Sequence, residues 1–173
     1  MLFNNSKEMF IYLLDYYKKN GGPVEILTFG MYLGITKGKL KGEGYKDWQG
    51  IYPMDSRAFI EATKKELKTI VGMPFFIECK LDCKDCKIAY NKMIERHEAT
   101  AEYIGLNIKY LGDMHMKMYR VGDLVVLGGM NLSDSDWVDC SLIANKEDGL
   151  RVTKLFKKLW EHADAEAKRY YKK

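Results

Sequence analysis

His115 and Lys117 stand two residues apart, and Asn131 and Asp139 follow within the next stretch of chain. An imidazole, an ammonium, an amide and a carboxylate together suit the gripping and attacking of a phosphate. Gly128 and Gly129 precede Asn131 and supply a backbone able to approach a ligand closely.

Strand alternation would put His115 and Lys117 on one face, because side chains repeat every second residue along a strand. Gly122-Asp123 reads as a tight turn, and Leu124 to Leu127 as the return strand of a hairpin that delivers Gly128-Gly129-Met130-Asn131. Asp139 leads into a third apolar run, Cys140 to Ala144. The four groups would therefore reach adjacent strand ends.

Upstream, Ser6 to Lys19 predicts an amphipathic helix with Ser6 as its N-cap, followed by a buried strand from Val24 to Gly30. A glycine-containing loop comes next, carrying Lys37, Lys39, Lys41 and Lys46. Its plain reading is a solvated surface loop. Its functional reading is a phosphate-backbone contact beside the site, with Tyr32, Tyr45 and Trp48 available for stacking on bases. Asp55 or Ser56 would cap a second helix running to about Lys68. A strand from Val71 to Glu78 follows, in which Pro74 suggests an edge or an irregular start. A helix from Lys87 to Ile104, a strand from Leu106 to Leu111 and a long helix from Lys146 to Tyr171 complete the chain. The last helix would bury Leu150, Val152, Leu155, Phe156, Leu159 and Trp160. This alternation indicates an α/β fold, a mixed β-sheet sandwiched between α-helices, in a single domain spanning 1–173.

Of 173 residues, 47% are hydrophobic and 30% charged, an ordinary globular balance that excludes a disordered chain. The net charge of +4, from 28 basic and 24 acidic residues, permits nucleic-acid binding without arguing for it. No apolar run is long enough to span a bilayer, and the first residues lack a signal-peptide layout, so a cytoplasmic protein with no membrane partner is expected.

The constellation resembles the signature of the phospholipase D superfamily, His-x-Lys, a hairpin, then Gly-Ser-x-Asn. His115 and Lys117 match the first half, and Gly128, Gly129 and Asn131 the second, with Gly129 in place of the usual serine. Asp139 falls where nuclease-like members carry an acidic residue. Gly122 occupies the position of the family's aspartate, Asp123 lies one further on, and the hairpin is one residue shorter. The resemblance implies a metal-independent phosphodiesterase, most directly an endonuclease acting on DNA or RNA with no cofactor for catalysis. His115 would be the nucleophile, Lys117 and Asn131 the phosphate ligands, and Asp139 the residue orienting an imidazole. One signature copy per chain implies a homodimer with its active site astride a two-fold axis. The alternative is a degenerate module of this family that binds nucleic acid or a protein partner. A small chain rich in lysine and methionine also suits a phage or mobile-element protein.

Cys79, Cys83 and Cys86 form a C-x3-C-x2-C cluster, and His97 follows eleven residues after the last. Three thiolates and an imidazole make a tetrahedral zinc set, with Cys140 or Asp82 as competitors for the fourth position. The plain reading is three reduced thiols in a turn and a surface histidine. The same cysteine spacing occurs in the iron–sulfur motif of radical enzymes, but this chain is too short for their barrel. A structural zinc predicts about one zinc per chain in protein purified without chelator under reducing conditions. Metal analysis that finds none contradicts it.

Overall fold

The computed structural model describes residues 1–29, 31–32, 55–73, 84–112, 114–130, 132–133 and 138–165. The described residues form strands β1 (Leu2–Asn5), β2 (Val24–Thr28), β3 (Met31–Tyr32), β4 (Leu67–Met73), β5 (Asn107–Gly112), β6 (Lys117–Val121), β7 (Leu124–Gly128), β8 (Leu132–Ser133) and β9 (Val138–Ile143). They also form helices α1 (Ser6–Asn20), α2 (Asp55–Thr63), α3 (Lys84–Ile104) and α4 (Lys146–His162).

Seven strands form one sheet in the order β1-β9-β7-β6-β2-β4-β5, and β3 pairs with β8 beside it. β2, β4 and β5 are parallel neighbours joined through α2 and α3, whereas β2-β6, β6-β7, β7-β9 and β9-β1 are antiparallel. The sheet is therefore mixed, as expected. The interior strand β2 is buried along its whole length, so its residues Val24, Ile26 and Leu27 serve both layers. One layer packs Met9, Phe10 and Leu13 of α1 and Phe59 and Ile60 of α2 against Ile26, Tyr119 and Val126. On that same layer, Tyr90 and Ile94 of α3 meet Val71 and Tyr110. The opposite layer packs Phe156 of α4 on Leu27, Ile70, Met118 and Val125.

Local chemistry moves several boundaries away from the sequence expectation. The cap of α1 is Asn5, whose side chain accepts from the Glu8 N–H at 2.9 Å, and Ser6 is already helical and buried. The second helix ends at Thr63, whose hydroxyl donates to the Phe59 carbonyl, rather than continuing to Lys68. Leu67 instead begins β4, in parallel register with Val24, and the part of the expected strand from Pro74 to Glu78 lies outside the described residues. An additional edge strand, β1, was not expected. The last helix ends at His162, where Asp164 exchanges two backbone hydrogen bonds with Tyr110. Leu150 and Leu155 lie outside its buried face, at 56% and 40% exposure.

Among the described residues no helix is long and apolar enough to cross a membrane. The hairpin turn at Gly122-Asp123 is tied to α1 by the Tyr16 hydroxyl, which donates a short hydrogen bond to the Asp123 carboxylate. That bond holds the Asp123 carboxyl below its ordinary range and pushes the Tyr16 hydroxyl up. A carboxyl depressed on folding stabilises above its unfolded pKa, and that contribution disappears as pH falls through the folded value. Thermal unfolding of Tyr16→Phe beside the unaltered protein should thus show a deficit that is widest near neutral pH and closes in acid. A deficit independent of pH contradicts the linkage.

Candidate active site

β2 and β4 end at the edge of the sheet where β6 and β9 begin and β7 ends, because of the parallel and antiparallel pairings around them. The connection from β5 to β6 runs along this edge, over the ends of β4 and β2. Three strand spacings, on the order of 14 Å, separate the two strands it joins. A Cβ added to Gly72 in β4 would lie 2.1 Å from the Met114 carbonyl oxygen, so the absence of a side chain there lets the connection pass.

That passage carries His115 to the site. His115 precedes β6 instead of lying within it, so the crossover, and not strand alternation, sets its position. Lys117 is the first residue of β6, only 8% exposed, while His115 is exposed. The Lys117 ammonium lies 3.2 Å from His115 Nδ1 and 3.3 Å from Nε2, within donating distance of whichever nitrogen is unprotonated. The Phe29 ring, just beyond β2, packs on the imidazole at 4.6 Å between centroids, with the ammonium 5.7 Å from its own centroid. One half-buried aromatic therefore contacts both groups, and the ammonium is within cation–π reach.

The strand register extends the site sideways. Lys117 pairs with Gly128, and Gly128 pairs with Ser141. An added Cβ on Gly128 would meet the Ser141 hydroxyl at 2.2 Å and the Cys140 carbonyl at 2.4 Å. Gly128 is thus required by the close approach of β9. The Gly129 N–H donates to the Cys140 carbonyl at 3.0 Å, which commits that donor to the sheet edge. Asp139 falls in β9, two residues before Ser141. Asn131 and the loop lysines Lys37, Lys39 and Lys41 lie outside the described residues.

Of the zinc set, Cys86 falls in α3, and Cys79 and Cys83 lie outside the described residues. His97 is fully buried, not a surface residue, and its Nε2 accepts from the Met31 N–H at 3.3 Å. That bond occupies Nε2, one of the two ring nitrogens through which a metal could bind. Among the described residues no group of three or more His, Cys, Asp or Glu is gathered as for a metal ion.

Sequence reasoning missed Phe29, which packs on His115, together with Thr28 in β2 and Tyr119 in β6. Tyr119 carried the clearest signal, since it follows Lys117 by two residues and shares its face of β6. Burial pushes the Tyr119 hydroxyl far above the ordinary phenol range, so it remains a donor. Gly128→Ala should lower stability by about 1–3 kcal/mol through overpacking against β9. Urea unfolding measures this, and an unchanged midpoint contradicts the packing.

No protein-family model and no curated protein sequence matches the chain. Among solved structures it is similar to Nuc from Salmonella typhimurium, a phospholipase D family member, at a TM-score of 0.52 and 12% identity. That likeness covers 98% of this chain and 97% of Nuc. It is also similar, at a TM-score of 0.46 and 12% identity, to TrmBL2, an archaeal chromatin protein whose structure shows a novel mode of DNA binding. This second likeness covers 96% of the chain but only 54% of TrmBL2, so the chain spans about half that protein's length. The match to Nuc shows a phospholipase D-like fold.

Proposed function

We propose that this chain is a metal-independent phosphodiesterase, most directly an endonuclease, that works through a covalent phosphohistidine on His115. The observation that carries the reading is the approach of the Lys117 ammonium to both ring nitrogens of the exposed His115 at the sheet edge. A nucleophile at a solvent-facing edge beside a fixed cation is the arrangement an anionic phosphodiester requires. The phospholipase D-like fold supports the same assignment.

In the first step a His115 ring nitrogen attacks phosphorus, the P–N bond forms and the bond to the leaving oxygen breaks. The His115 of a second copy protonates that oxygen, which makes the active unit a homodimer. In the second step the same base takes a proton from water, water oxygen bonds phosphorus, and the P–N bond breaks to restore free His115. Lys117 and Asn131 hold the non-bridging oxygens and oppose the charge that grows on them. Asp139 orients an imidazole and stabilises its charged form. Lys37, Lys39 and Lys41 contact the nucleic-acid backbone, and a zinc on Cys79, Cys83, Cys86 and a fourth ligand serves stability alone.

The test is cleavage of labelled single- and double-stranded oligonucleotides in excess chelator. His115→Ala should reduce the rate by roughly 10³-fold or more while leaving affinity nearly intact. Lys117→Ala should damage both binding and turnover, because its charge acts before and during reaction. Replacing Lys37, Lys39 and Lys41 together should weaken binding and flatten its salt dependence. Wild-type protein that binds but cuts no nucleic acid, with binding indifferent to His115→Ala, would favour the degenerate binding module instead.

A further inference from the structure

Asn131 follows Met130 and precedes Leu132, and both neighbours are held by side chains from the two central strands. The Tyr119 hydroxyl donates to the Met130 carbonyl at 2.9 Å. The Leu132 N–H donates to Thr28 Oγ1, also at 2.9 Å. A hydrogen bond between Thr28 and the Tyr119 hydroxyl closes the relay. Thr28, Tyr119, Met130 and Leu132 are all buried, from 0% to 4% exposed. The β7 ladder ends at Gly128 and β9 begins at Val138, so sheet pairing of those strands does not reach this carbonyl and amide. Left unpaired in the core, each would carry the desolvation cost of a buried polar group.

We propose that Thr28 and Tyr119 are positioning residues that fix the Met130 carbonyl and the Leu132 N–H, the groups that flank Asn131 in the chain, for the phosphate-holding role proposed for that residue. This rests on the phosphodiesterase reading. The two hydroxyls come from β2 and β6, the strands that also place Phe29 and Lys117. Tyr119 is two residues from Lys117, and Thr28 adjoins Phe29. The Met130 carbonyl, the Leu132 N–H and the cation are thereby referenced to one pair of strands. His97 extends the frame from α3, because it holds Met31, which pairs with Leu132.

Tyr119→Phe removes the hydroxyl but keeps the ring that packs edge-on against Phe10 at 5.4 Å. It should lower kcat for oligonucleotide cleavage about tenfold to hundredfold, the scale of a misplaced reacting contact, with a smaller change in KM. In an Asn131→Ala background the same change should cost nothing further, since the residue it positions is gone. Thr28→Val should reproduce the loss and speed amide exchange at Leu132, whereas Thr28→Ser should retain wild-type kcat. Equal losses with and without Asn131, or unaltered Leu132 exchange in Thr28→Val, overturn the proposal. If the wild type cuts nothing, the phosphodiesterase reading falls separately. The relay is then judged by Leu132 exchange and by double-mutant coupling of Tyr119 and Asn131 in affinity for inorganic phosphate: non-additive changes support it and additive changes overturn it.

Discussion

The contact between the Lys117 ammonium and the His115 imidazole is the constraint on which the candidate site depends. Lys117 is only 8% exposed, and drawing an ammonium away from water is costly unless other groups replace that water. Here the imidazole nitrogens and the face of Phe29 meet the charge. The arrangement holds only if the β5–β6 connection stays low over β4, which Gly72 permits. A cation, an imidazole and an aromatic wall are thus brought together by a backbone crossing.

The same sheet edge gathers the rest. Gly128 lets β9 close on β7, so that Ser141 and the strand carrying Asp139 lie two strands from Lys117. The buried hydroxyls of Thr28 and Tyr119 hold the Met130 carbonyl and the Leu132 N–H. Every one of these contacts draws on β2, β4, β6 or β7, the buried middle of the sheet. Rigid strands carry the site proposed here, which suits a reaction that depends on fixed placement of charge.

Much of this was legible in the sequence. Alternating apolar segments gave a mixed sheet between helices, and the hairpin around Gly122-Asp123 folds as its turn residues demand. His115 and Lys117 do meet, but through a crossover whose path no local pattern encodes. Periodicity carried the second helix to Lys68, whereas parallel pairing with β2 claims Leu67 onward for a strand. Leu150 and Leu155 fit the apolar period of the last helix but face outward, since contact with the sheet falls along Phe156 and its neighbours. Thr28, Tyr119 and Gly72 matter through partners distant in sequence, and such pairings become visible only once the strands are placed.

The most direct test of the central claim is to look for the covalent intermediate. An oligonucleotide turned over in excess chelator and quenched in alkaline detergent should leave a nucleotide adduct on the peptide that contains His115, detectable by mass spectrometry. The account predicts that adduct in the wild type and its loss in His115→Ala. Steady turnover with no adduct, with an adduct on another residue, or only when a divalent metal is supplied would contradict it.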